Sequence, residues 1–297
     1  MATIDFSSRF GVWWTSDQWS IGDVITRARE VERLGYASLF YGEAGGKETF
    51  TQAAALLDGT ERLVVGTGIA NIHARSAPAS ESGSRTLAAL HPGRFVLGLG
   101  VSHAPLVERS YAGSYSRPLS TMRRYLETMD AVPAEIEPGA ARPARLLAAL
   151  GPKMIELSGT AADGAHPYLV TPEHTAHTRE RLGPDKWVVS EQAVALTTDR
   201  ETGLRRAHQH LHMYSQLPNY QNSWLRQGFD ESDLVVGGSD KLAEGMVAMG
   251  DAEKVAAQVK QHLEAGADHV VIQVLGENPA ADPLPALHEL APALGLS

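Results

Sequence analysis

Glu43 and His103 are the two side chains of this chain best suited to moving a proton, and each stands just behind a short apolar run. Four such runs occur in the first 105 residues: Phe10–Trp14, Ser38–Tyr41, Leu63–Ala70 and Phe95–Val101. They are followed by Trp13-Trp14 with Thr15, by Glu43, by Asn71 with His73, and by Ser102 with His103. Imidazole titrates near neutrality without help, and a carboxyl can be brought into that range by burial. Placed together, the two groups would serve general acid–base chemistry. Each also has a plainer role open to it. Glu43 would pair a rim cation, with Lys47 one helical turn on, and His103 would bond a loop carbonyl. Trp13 and Trp14 point to opposite faces of their strand, so one of them could wall a flat ligand while the other packs against helices.

What would position these groups is an alternation of strands and helices. Ile21–Arg33 carries apolar residues at helical spacing and is followed by Gly35 as a stop. Glu48–Leu57, Pro78–Leu90 and Leu119–Ala131 read as further helices, Pro133–Pro143 as a Pro/Ala linker on the surface, and Asn222–Val247 as irregular. Strands are expected at Arg145–Leu150, His166–Val170, Trp187–Leu196 and His269–Val274. Parallel strands need long crossovers, and eight strand–helix units close into a (β/α)8 TIM barrel of roughly 250 residues plus insertions. The 297 residues are therefore expected to form one domain, 1–297, with insertions after strands four and seven. Groups that follow the strands then share the C-terminal rim, the active-site face of such barrels.

Three segments add detail. Gly66-Thr67-Gly68-Ile69-Ala70-Asn71 places two glycines in a buried strand, the mark of a bulge or of close approach by a ligand. Gly98 and Gly100 lie on one face of the fourth strand and would leave room for a flat ring. Gly151-Pro152-Lys153-Met154 opens a helix after the fifth strand, where backbone N–H groups and the helix dipole suit a phosphate, with Gly159 and Thr160 expected close enough to contribute.

Composition sets limits. The chain has no cysteine, which removes disulfides, thiolate catalysis and Cys-type metal sites. A net charge of -9 argues against nucleic acid, and no apolar stretch approaches the roughly 20 residues of a membrane span. Met1–Arg9 has no signal-like core, so a cytoplasmic protein is expected. His174 and His177 have an i, i+3 spacing, but no further metal ligand is placed, and no metal is expected. His208, His210 and His212 are expected to face solvent or a subunit partner. The segments His103–Ser120 and Tyr214–Gly238 should cover the pocket, with Tyr111, Tyr115, Tyr220, Trp224 and Phe229 as lining.

The ordered set of Gly-Thr-Gly in strand three, Pro92-Gly93-Arg94-Phe95-Val96-Leu97-Gly98-Leu99-Gly100 in strand four, and Gly151-Pro152-Lys153 with Ala162-Asp163-Gly164 resembles the bacterial luciferase-like superfamily. Within it, the chain is most similar to the F420-dependent oxidoreductase branch. The resemblance implies a deazaflavin, coenzyme F420, across the barrel mouth, with its phosphate on the loop at Gly151. It also implies a cis peptide near Gly68-Ile69. Trp13, Gly68, Ile69, Asn71 and His73 become cofactor contacts, Glu43 and His103 catalytic, and a homodimer acting on a small molecule is expected. The alternatives are an FMN-dependent monooxygenase and a non-catalytic flavin-binding barrel. Sugar-phosphate dehydrogenases of this branch carry a His after strand two and a Glu after strand four. Here Glu43 and His103 exchange those positions, and Lys47 replaces their Trp. The exchange argues against a sugar phosphate as substrate.

Overall fold

The computed structural model describes residues 4, 6–111, 115–133 and 141–296. In chain order the elements are β1 (Phe10–Trp14), α1 (Ile21–Arg33), β2 (Ser38–Tyr41), α2 (Thr49–Gly59), β3 (Val64–Thr67), β4 (Ala70–Asn71), α3 (Ala77–Leu90), β5 (Phe95–Gly100), α4 (Ala104–Ser110) and α5 (Pro118–Asp130). There follow β6 (Ala144–Leu147), α6 (Pro152–Ala161), β7 (Gly164–Ala165), α7 (Pro172–Leu182), β8 (Trp187–Leu196), α8 (Arg200–Tyr214), α9 (Pro218–Arg226), α10 (Asp240–Met246), β9 (Val247–Gly250), α11 (Ala252–Glu264), β10 (His269–Val274) and α12 (Leu284–Leu294).

All the strand pairs are parallel, and β10 pairs with both β8 and β1, which closes the sheet. β3 and β4 are two halves of one interrupted strand, and β9 pairs only with the far end of β8, so the closed wall has eight positions. This is the (β/α)8 barrel. Period-two alternation sorts the strand residues. Trp13, Phe40, Val64, Val96, Leu146, Val189 and Val271 fill the interior. Val12, Trp14, Leu39, Tyr41, Val65, Leu97 and Leu147 pack outward under the helices. Trp13 is thus the inward indole and Trp14 the helix-facing one, edge-on to Trp19.

Helix starts follow their side chains. Ser20 accepts the Asp23 N–H ahead of α1, and Ser76, Thr171, Asp199, Ser239 and Asp251 cap α3, α7, α8, α10 and α11 in the same way. Gly35 ends α1 with φ of 85°.

Several expected boundaries move. His166–Val170 is not in the sheet. Its strand is the two-residue β7 immediately before it; His166 N–H and Pro167 O still bond the neighbouring strands, and the backbone turns at Leu169, with φ of 53°. The span Asn222–Val247, read as irregular, holds the end of α9, then α10 and the first residue of β9. His103–Ser120 contains α4, and α12 was not anticipated. The linker read at Pro133–Pro143 falls mostly outside the described residues. Among the described residues, no helix is long and apolar enough to cross a membrane.

Candidate active site

Two different surfaces meet at the C-terminal rim. One follows β2 to β4 and is ionic. Glu43 is almost fully enclosed, with its side chain 5% exposed. Its Oε2 accepts the Asn71 N–H at 2.7 Å and Arg75 Nη1 at 3.0 Å, while Arg75 Nη2 bonds Oε1. Arg75 also reaches Glu48 and lies over the Phe50 ring. Lys47 turns elsewhere, donating to Ser16 O. The plainer role for Glu43 is therefore met by Arg75 rather than Lys47. Asn71, fully buried, accepts the His73 N–H at 3.0 Å through Oδ1, and its Nδ2 has no hydrogen-bond partner. Burial lowers the His73 pKa.

The other surface is aromatic. Tyr168, just past β7, is its hub. Its hydroxyl donates to Gln273 Oε1 at 2.8 Å and lies 3.2 Å from the Tyr214 hydroxyl and 3.3 Å from His210 Nε2. The Trp13 ring stands 5.3 Å from Tyr168 and Tyr214 stands 4.9 Å from Tyr220. The His103 ring lies 5.7 Å from Tyr220. A chain of rings thus runs from β1 to His103 in the segment after β5. Burial lowers the His103 pKa below its ordinary value, and its Nδ1 is buried without a partner. Among the described residues no hydrogen bond joins Glu43 to His103. Each belongs to its own surface.

Among the described residues, the two other than glycine with positive φ sit on this aromatic side: Ser102 at 60° and Leu169 at 53°. Tyr115 donates to Ser102 O, Trp224 Nε1 donates to Leu169 O, and Glu191 Oε2 accepts the Leu169 N–H at 3.0 Å. Such backbone is kept only where its surroundings hold it. Glu191 projects from β8 and is fully buried, with Oε1 unpartnered. Desolvation pushes its pKa up to about 8.

The peptide Gly68–Ile69 is cis, as the resemblance implied. The glycines around it have a reason other than ligand approach. A Cβ on Gly68 would stand 2.6 Å from Trp13 Nε1 and 2.9 Å from His166 Nε2, and one on Gly66 would overlap the Phe40 ring. The space over Gly98 and Gly100 is taken by Thr67 O and by the Ile69 side chain, so no room is left there for a flat ring. Trp13 Nε1 donates to Gly68 O at 2.9 Å, which ties the β1 indole to the mouth.

Gly151 begins α6 without a side-chain cap. Pro152 has no N–H, and the Met154 and Ile155 N–H groups already bond Gly151 O at 3.0 Å. That leaves the N–H groups of Gly151 and Lys153 as the donors of this turn, and corrects the expectation for Met154. Gly159 and Thr160 are a second correction. They lie roughly 12 Å further along the helix axis at 1.5 Å per residue, and the Thr160 hydroxyl bonds Glu156 O. Arg226, at the end of α9, was not anticipated; its Nη2 lies 3.4 Å from Leu150 O and beside Gly151.

The remaining histidines separate by burial. His174 bonds Leu150 O and His177 accepts from Arg181. His208 bonds Gly237 O and Asp240, whereas His210 joins the aromatic surface. Among the expected lining residues, Tyr220 and Trp224 belong to the rim, while Phe229 packs beneath Lys241 and Gly245. Tyr168, His210 and Tyr214 were missed as site residues. The polar triplet Ser190-Glu191-Gln192 inside an apolar strand, and Tyr168 in phase with His166, were the available signals.

A closed parallel barrel with its polar and aromatic groups at the C-terminal mouth is the architecture of a TIM-barrel enzyme. The chain belongs to the luciferase-like monooxygenase family, whose model matches residues 4–269. Over 130 residues it is 30% identical to a protein of Mycobacterium tuberculosis (strain ATCC 25618 / H37Rv) described as a coenzyme F420-dependent oxidoreductase. That match covers 44% of this chain and 37% of the relative's length. Solved structures share the fold. One is an F420-dependent secondary alcohol dehydrogenase in complex with an F420–acetone adduct, with 13% identity, TM-score 0.74, and 97% and 99% of the two chains covered. Another is the F420-dependent tetrahydromethanopterin reductase of Methanopyrus kandleri, with 14% identity, TM-score 0.69, and 95% and 97% covered. A third is the oxygenating constituent of 3,6-diketocamphane monooxygenase of Pseudomonas putida with FMN, with 12% identity, TM-score 0.68, and 95% of each chain covered.

Proposed function

We propose that this chain is an F420-dependent oxidoreductase that moves a hydride between deazaflavin C5 and a small organic substrate, with His103 as the proton-transfer group. The observation that carries the reading is the buried, unpartnered Nδ1 of His103 at the mouth, on the same rim as an uncapped helix N-terminus. The residues present fit the cofactor. Asn71 Nδ2 lacks a partner, and the Gly151 and Lys153 N–H groups, with Arg226 beside them, form a cradle for a phosphate. When bound in its reduced form, the deazaflavin would supply a hydride from C5, which carries both electrons, and the protein would supply the proton.

The roles of the chain follow from the geometry. Trp13, Gly68 and Ile69 form one wall, Asn71 and His73 an edge, and the Gly151 turn holds the anionic end. Glu43 neutralises Arg75 and fixes the Asn71 backbone, and so positions that edge rather than donating a proton. The sequence relative favours F420, and the FMN-bound structural neighbour supports the second reading, a flavin monooxygenase on the same rim. Titrating purified protein with F420 and separately with FMN, and reading fluorescence quenching, tests both. Saturable binding of F420 with none of FMN supports the proposal. The reverse supports the monooxygenase, and binding of neither overturns both.

A further inference from the structure

We infer that the substrate side of this mouth takes an uncharged, flat, ring-bearing carbonyl compound, held on the aromatic surface formed by Trp13, Tyr168, Tyr214, Tyr220 and His103. The inference rests on the oxidoreductase reading for the carbonyl, which is the hydride acceptor, and on the surface itself for the rest.

That surface offers rings and neutral hydrogen-bonding groups. Successive centroids from Trp13 through Tyr168, Tyr214 and Tyr220 to His103 lie 5.3, 5.4, 4.9 and 5.7 Å apart, which makes the surface continuous. Its polar atoms are phenols, an amide and imidazoles. Burial holds the tyrosine hydroxyls protonated, with Tyr214 pushed up to about 12, and lowers the pKa of His103 and His210, the latter to about 4. Glu191, the ionisable acid beneath the tyrosines, is kept in its uncharged form by the same burial.

Among the described residues, no cation is part of this chain of rings, and Arg206, one turn of α8 before His210, is bound by Glu277. Arg75 is bound by Glu43 and Glu48, and Arg226 stands at the Gly151 turn that serves the cofactor's phosphate. A carboxylate or phosphate on the substrate would leave water for a surface with no cation to receive it, and such burial is strongly unfavourable. A flat ring, in contrast, gains area and stacking against tyrosine and tryptophan faces. A carbonyl oxygen would accept from His103 in the tautomer that carries its proton on Nδ1, an atom that is buried without a hydrogen-bond partner.

Two probes of the same flat ring test this: acetophenone and its carboxylate-bearing analogue, 4-acetylbenzoate. Each is titrated into the F420-loaded protein and into the cofactor-free protein, with saturation-transfer NMR as the readout. Cofactor binding is measured separately by fluorescence. The expected result is a preference for the uncharged ring of about tenfold or more, the equivalent of about 1.4 kcal/mol, in both forms. Tyr214→Ala should weaken that ring several-fold, while Tyr214→Phe, which keeps the ring face, should restore it, with thermal melts confirming that both variants fold. Equal or tighter binding of the carboxylate, or binding of neither probe, overturns the inference. Failure of F420 itself to bind overturns the oxidoreductase reading instead, and the preference between the two rings is still read in the cofactor-free protein.

Discussion

Arg75 grips the Glu43 carboxylate with both of its terminal nitrogens, and the same carboxylate accepts the Asn71 backbone N–H at 2.7 Å. A rim carboxylate that looks in sequence like a free acid is thus an anchor for β4. Removing one partner of an enclosed ion pair strands the other, which costs about 3–5 kcal/mol. Arg75→Ala should therefore destabilise strongly. Glu43→Gln should cost less, since an amide oxygen still accepts from Asn71 and Arg75 keeps Glu48. Adding Glu43→Gln to Arg75→Ala should recover part of the loss. Urea unfolding of the three variants measures this, and a double variant no more stable than Arg75→Ala would show that the carboxylate was never stranded.

His103 carries the chemical prediction. His103→Ala should lower turnover by about 10²–10⁴-fold, the usual contribution of a general acid or base, while F420 affinity changes little. Burial lowers the pKa of this imidazole, so its protonated form exists only on the acid side of 6.5. Reduction, which consumes a proton, should slow as pH rises through that lowered pKa, and oxidation should reach its plateau there. The inflection should vanish in His103→Ala. An unchanged pH profile in that variant would leave His103 as a loop residue.

How far the sequence could be read depends on what each signal measures. Period-two and period-3.6 patterns report burial, so the barrel, the opposite facing of Trp13 and Trp14, and the rim positions of Glu43 and His103 were all legible, whereas which indole faces inward was not. Glycines report only that a side chain is absent. Gly66, Gly68, Gly98 and Gly100 looked like space for a ligand, yet the room is filled by Phe40, Trp13, Thr67 and Ile69, which come from other strands. Long-range identity of this kind cannot be read along one strand. The same limit hid the aromatic surface. Tyr168, His210 and Tyr214 are brought together only by the packing of α8 against β8 and β9 beside the segment that follows β7, and the alternation of His208, His210 and His212 pointed to solvent. The helix start after Gly151 was legible in Gly151-Pro152, because its signal is local. Gly159 and Thr160 failed because the helix carries them away from its own start.

Gly151 allows a clean test of that turn. Its φ of -107° suits any residue, and a Cβ there would meet only Arg226 Nη2, at 3.7 Å. Gly151→Leu should therefore fold normally while its side chain crowds the anion cradle. The Kd for F420, titrated at fixed salt, should rise by on the order of tenfold, about 1.4 kcal/mol. Arg226→Ala should act in the same direction and lose its effect at high salt, as a screened charge does. Unaltered affinity in both variants would place the phosphate elsewhere.

Stability against pH should show the buried groups directly. Burial raises the Glu191 carboxyl to about 8 in the folded protein from its ordinary 4.5. The folded state therefore holds a proton that the unfolded chain releases, and stability falls across pH 4.5 to 8 by about 1.4 kcal/mol per unit. His166, His210 and His262 are lowered to about 4 and His269 to about 3. Their contribution is fully present above 6.5 and is lost as pH falls through the folded values, because the unfolded chain takes up protons first. Below 6.5 the four imidazoles outweigh the single carboxyl, and above it the carboxyl acts alone. On these groups stability should peak near pH 6.5 and decline gently towards 8. Glu191→Gln keeps the shape and the acceptor for Leu169 N–H while removing the titration, so its alkaline slope should flatten with the acid side unchanged. Chemical denaturation at half-unit pH steps measures both limbs, and an alkaline decline that survives Glu191→Gln would mean that the carboxyl is already ionised in the folded barrel.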